Sequence, residues 1–96
     1  MSVYKLSKES ESDIANIYEY GIKKFGIQQA QTYLVGMHDL LQTLAQNPLI
    51  GRDASEFSNG LKRFTYKAHM VFYLRSNQYI LVIRVLHQSM DYQRYF

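Results

Sequence analysis

The side chains able to do chemistry gather in the last third of the chain. Lys62, Arg63, Arg84, His87, Met90, Asp91 and Arg94 form a thin cationic set with one histidine and one carboxylate. Cutting RNA through its 2′-hydroxyl needs a base, an acid and cations to bear the crowded phosphate charge. His87 suits the acid or base, Arg63 and Arg84 the phosphate, and Tyr95 a proton donor. Each also has a plainer reading. His87 can be a strand-end histidine donating to a backbone carbonyl. Arg84 lies inside an apolar run, where an unpaired charge is costly, so it must reach solvent, carbonyls or a carboxylate. Asp91 and Glu56 are the carboxylates expected to receive it. His69 precedes an apolar run and reads as packed or capping; His38, beside Asp39 and off the apolar stripe, reads as solvent-facing. No histidine or carboxylate pair has metal-ligand spacing. The glycines are isolated, with no phosphate-cradling pattern, so neither a metal nor a cofactor is expected.

Charge is distributed unevenly around this set. Residues 1–59 hold five lysines and arginines against seven acidic residues, whereas residues 60–96 hold six against Asp91 alone. A basic surface of that kind attracts nucleic acid or an acidic protein segment. Lys62 and Arg63 beside Phe64 and Tyr66 can serve stacking and phosphate contacts, or Lys62 and Lys67 can guard an edge strand against aggregation. With 96 residues, 47% of them apolar and 20% charged, the chain suits a single globular domain spanning 1–96. Cysteine is absent, which excludes a disulfide framework. Met1–Leu6 shows no export signal and the longest apolar stretch, 79–85, is broken by Arg84, so a cytoplasmic protein is expected.

The elements that must position these residues follow from periodicity. Val3–Leu6 alternates as a short strand. Ser7 or Ser10 offers an N-cap, with Glu9, Glu11 and Asp13 where a helix dipole favours negative charge. Ile14, Ile17, Tyr18, Ile22 and Phe25 form one helical stripe, and Gly26 stops it. A second helix is expected over 28–46, ended by Asn47-Pro48. The short break makes the two an antiparallel hairpin. Residues 49–60 read as loop; 61–66, 69–75 and 79–87 read as strands, the last two an antiparallel hairpin turned by Ser76-Asn77-Gln78. The expected architecture is α+β, a β-α-α-β-β-β order with the helical hairpin on one face of a small antiparallel sheet. Strands 70–74 and 79–86 are apolar at both parities, which leaves apolar side chains for a second face that nothing in the sequence obviously covers. Such a face is expected to bind a partner.

Four segments in register resemble the ParE branch of the RelE/ParE toxin superfamily. They are Asp13-Ile14-Ala15-Asn16-Ile17-Tyr18-Glu19-Tyr20 with Phe25-Gly26; Leu44 through Arg52; Gly60-Leu61-Lys62-Arg63-Phe64 with His69-Met70-Val71-Phe72-Tyr73; and Ile83 through Asp91. The resemblance implies a toxin of a type II toxin–antitoxin system that traps DNA gyrase on cleaved DNA and is neutralised by a ParD-like antitoxin. It places target contacts at Lys62, Arg63, Arg84, His87, Met90, Asp91 and Arg94. The open apolar face would then receive an acidic antitoxin segment through Leu61, Phe64, Phe72 and Leu74, and would let the free toxin form a homodimer. Gln88 and Ser89 stand where many relatives carry a basic residue. A ribosome-dependent ribonuclease of RelE type and a non-toxic antitoxin-binding member are the alternatives.

Overall fold

A computed structural model describes residues 3–96; Met1 and Ser2, part of the stretch read for an export signal, lie outside the described residues. The elements are β1 (Val3–Leu6), α1 (Lys8–Phe25), α2 (Ile27–Gln46), β2 (Arg52–Asp53), β3 (Lys62–Tyr66), β4 (His69–Arg75), β5 (Tyr79–His87) and a 3₁₀ turn at Tyr92–Tyr95. Ser7 is the N-cap of α1, its hydroxyl oxygen accepting from the Ser10 amide. Gly26, at φ +90°, separates the helices in a conformation that L side chains resist.

The sheet order is β1-β5-β4-β3-β2. β3, β4 and β5 are the expected antiparallel ribbon. Two additions frame it: β1 lies parallel to β5 at one edge, and two residues of the expected loop, Arg52 and Asp53, pair with β3 at the other. A bulge between Phe72 and Tyr73 inserts one residue of β5, which locally increases twist.

The helical hairpin packs on one face, its Met37, Leu41 and Leu44 meeting Val71, Tyr73, Ile80, Val82 and Val85 of the sheet. Tyr73 anchors the loop after α2: its buried hydroxyl donates to the Pro48 carbonyl (2.9 Å) and accepts from the Gly51 amide (3.1 Å). Burial pushes its pKa up.

The second face corrects the sequence reading. Leu61 and Phe72 are 1% and 0% exposed, packed with Ala54 and Leu86 in a separate cluster. Residues 54–61 and the C-terminal tail fold across this face. The Phe57 ring meets Phe72 edge-on at 5.9 Å, while Tyr92 and Phe96 meet it at 5.1 and 4.9 Å. Only Leu74 of the expected apolar contacts remains half-buried there. Phe64 lies on the opposite side, against the helical core. The chain therefore seals the face that was expected to receive an antitoxin, and self-association through it loses its basis. The sequence concealed this because the cover is assembled from two segments, a loop and a tail, neither with a regular period.

Candidate functional site

Strand register decides which chemical residues share a face. Arg63 opposes Phe72, and Phe72 opposes Arg84, so both arginines arise from the sealed second face. His69 opposes His87. Their parity is that of Val71 and Val85, which places both imidazoles on the helical side.

Arg84 then turns around the free edge of β5 toward α1. Its Nε and Nη2 donate to the two oxygens of Asp13 at 2.8 and 2.7 Å, and the Val85 amide donates to the same carboxylate at 3.0 Å. The first turn of α1 completes this edge seal, since the Ser7 amide and hydroxyl donate to the carbonyls of Val82 and Ile83. Hydrogen bonding to Asp13 raises the Arg84 pKa further. The partner is thus Asp13, not Asp91 or Glu56. The Tyr95 ring covers the guanidinium at 5.0 Å, a cation–π contact that ties the tail to the ion pair.

On the helical side, α1, α2, the β3–β4 turn and the end of β5 enclose a groove of about 1000 Å³. Its floor includes Ile17, Ala30 and Tyr33, and its rim carries Lys24, Lys67, His69 and His87. Asp13, its only carboxylate among the described residues, is consumed by Arg84. The groove is therefore apolar below and cationic at the mouth. Tyr33 organises one wall: its hydroxyl lies 2.6 Å from His69 Nδ1, while its carbonyl accepts from the Tyr66 hydroxyl at 3.1 Å. Burial, and then the nearby His87, pushes the His69 pKa down to about 4. The two imidazole rings meet edge-on at 5.4 Å. His87 Nδ1 accepts from the Ser89 amide at 3.1 Å, a local strand-end bond in which the ring accepts from an amide where donation to a carbonyl was expected. The Gln88 side chain donates to the Lys67 carbonyl and its backbone N–H to the Ala68 carbonyl, pinning a turn in which Lys67 sits at φ +50°.

Of the expected target contacts, Met90 and His87 line this groove and Arg84 reaches it from the edge, whereas Arg63 remains on the second face. Lys62 opposes Tyr73 on the helical side, and Asp91 and Arg94 lie exposed in the tail. The acid–base histidine and the phosphate-binding Arg63 are on opposite faces of one sheet, and Arg84 is already paired. Of the four residues named for a ribonuclease centre, His87, Arg84 and Tyr95 line the groove and Arg63 does not. His38 is exposed as expected, with its ring bonded to the Tyr4 hydroxyl. Sequence reasoning missed Asp13, whose helix-start position already explains an acidic residue, and Tyr33, which reads as one member of an apolar stripe.

A profile described as "ParE toxin of type II toxin-antitoxin system, parDE" matches residues 4–92. Toxin ParE1 of Caulobacter vibrioides is 32% identical over 91 residues, covering 95% of this chain and 94% of that protein. Toxin ParE1 of Mycobacterium tuberculosis is 32% identical over 94 residues, covering 97% and 96%. A solved structure titled as the chromosomal ParDE system from P. aeruginosa superposes with a TM-score of 0.76 over 91% of this chain and 95% of that one. At 16% identity that likeness speaks for the fold.

Proposed function

The chain belongs to the ParE toxin family of type II toxin–antitoxin systems, and from that premise we propose that it poisons DNA gyrase without catalysing a reaction. In this reading it works in the cytoplasm and is held inactive by a ParD-like antitoxin. The observation that carries the reading is the lack of a free phosphate-binding cation in the would-be catalytic set: His87, Arg84 and Tyr95 line one groove, but Arg63 stands on the opposite sheet face and Arg84 is bound to Asp13. A surface that binds and holds a target needs no convergent acid, base and oxyanion group; RNA cleavage does. The antitoxin segment is assigned to the groove, not to the sealed face. An acidic amphipathic segment that folds as it binds would set its apolar side chains on Ile17 and Tyr33 and its carboxylates near Lys24 and Lys67.

Purified toxin added to gyrase is expected to block supercoiling and accumulate cleaved DNA at micromolar concentration. Intact enzyme activity together with site-specific mRNA cuts in primer extension after induction would replace this reading with the ribonuclease. For the groove, Ile17→Glu should lower antitoxin affinity by at least tenfold while leaving the circular dichroism spectrum unchanged. Unaltered affinity would move the docking surface elsewhere.

A further inference from the structure

Arg52 and Arg63 stand directly opposite one another in the β2–β3 pair, so their side chains leave the same face of the sheet. Like charges in that relation repel. Among the described residues the only ion pair is Arg84 with Asp13, and no carboxylate neutralises either arginine. The neighbouring Asp53 carboxylate accepts from the Ser55 hydroxyl at 2.7 Å. The Nε atom of Arg63 is also buried with no hydrogen-bond acceptor. A buried donor left unmade is costly to a small domain, and here it coincides with unrelieved charge repulsion. An oxyanion held between the two guanidinium groups would relieve that repulsion.

Such an oxyanion can be a carboxylate or a phosphodiester. A peptide bringing carboxylates would also need apolar ground on which to fold, and on this face Leu61 and Phe72 are closed off by the chain itself. What remains open beside the arginines is aromatic ring surface. Phe96 is 38% exposed, and its ring contacts Phe72, the direct cross-strand neighbour of Arg63. Exposed rings next to phosphate-binding cations are a platform for unpaired bases. We propose that the Arg52–Arg63 pair binds a phosphodiester of single-stranded DNA, with an adjacent base stacked on Phe96. The biological setting rests on the gyrase reading, because an enzyme holding cleaved DNA is where the toxin would meet unpaired strand; the site itself does not.

Two measurements on the full-length protein test it. In thermal unfolding, inorganic phosphate should raise the Tm of the wild type above its value in chloride of equal ionic strength, and should not do so for Arg63→Gln. In chloride, Arg63→Gln should unfold no earlier than the wild type, because it removes a repulsion and an unpaired cation. A clear fall in its Tm would mean that Arg63 is a structural residue, and would overturn the proposal. In fluorescence anisotropy with labelled oligothymidylate, Arg52→Gln and Arg63→Gln should each weaken binding about tenfold. Each should also reduce the log–log salt slope by about 0.7, the increment of one phosphate contact on single strands. Lys23→Gln, on the outer end of α1, should change neither. Phe96→Leu should weaken single-strand binding more than duplex binding. No binding by the wild type, equal losses in Lys23→Gln, or displacement by poly-glutamate as effective as by oligothymidylate would each refute the DNA site. Supercoiling assays on the same preparations keep the two readings apart. A wild type that leaves gyrase untouched but binds oligothymidylate through Arg63 removes the gyrase reading alone; gyrase inhibition without oligonucleotide binding removes this one alone.

Discussion

Asp13 accepts three hydrogen bonds, two from Arg84 and one from the Val85 amide, where α1 meets the unpaired edge of β5. Asp13→Ala would strand a half-buried guanidinium and an edge amide together. The expected loss is about 2 kcal/mol, the scale of hydrogen bonds to charged groups, measurable as a lower urea midpoint at unchanged slope. His69 gives a pH signature. Its ordinary pKa of 6.5 falls to about 4 in the folded protein, so between these values the unfolded chain binds more protons. Stability from this residue is complete above about pH 6.5 and fades as the pH drops toward 4. Because the ring is only half-buried, solvent screening holds the loss to about 1 kcal/mol. His69→Gln should flatten that limb in acid titrations of the urea midpoint. At this scale the sequence was readable in type and unreadable in pairing. That Arg84 needs a partner follows from its apolar neighbours; that the partner is Asp13, 71 positions earlier, depends on how a helix crosses a strand edge, which no local spacing records.

Packing between elements is tight enough to override propensity. Gly36 lies within α2, where alanine normally gains about 1 kcal/mol over glycine. An added Cβ there would stand 2.1 Å from the Tyr66 hydroxyl, which donates to the Tyr33 carbonyl. Gly36→Ala must push that ring aside and break the bond, and a net loss of about 1–2 kcal/mol is expected in thermal unfolding. A neutral or stabilising result would show that α2 and β3 can slide apart at little cost. Helix and strand boundaries were legible to within a residue or so, because Ser7, Gly26 and Asn47-Pro48 are local stop and start signals. The hairpin 69–75 with 79–87 matched its apolar runs and polar turn. β2 was hidden, since a two-residue pairing between Arg52-Asp53 and Arg63-Lys62 leaves no alternation to detect.

Across the whole molecule, a hairpin covers one sheet face and an aromatic cluster closes the other. The closing tail contributes Tyr92 and Phe96 around Phe72, with Tyr95 on Arg84. Phe96→Ala should cost about 1–2 kcal/mol from lost apolar burial and raise binding of an environment-sensitive apolar dye. An unchanged dye signal would mean that Phe57 and Tyr92 suffice to cover Phe72. Apolar residues at both parities of β4 and β5 marked a second apolar face, which was read as open and is in fact covered. The cover could not be read, because Phe57 and Phe96 become neighbours only after the sheet has formed. The same separation splits the basic residues of the last third between two faces, so a single charged tract in sequence becomes two distinct surfaces in space.

The parallel pairing of Val3–Leu6 with Tyr79–Val82 joins the beginning of the chain to nearly its end. During synthesis α1 and α2 emerge first and can collapse on each other, but their apolar stripe has no sheet to rest on until β5 is made. Contacts of such long sequence separation are also slow to close. Until β5 has formed, the apolar stripe of the helical hairpin therefore lacks the sheet that covers it in the folded protein.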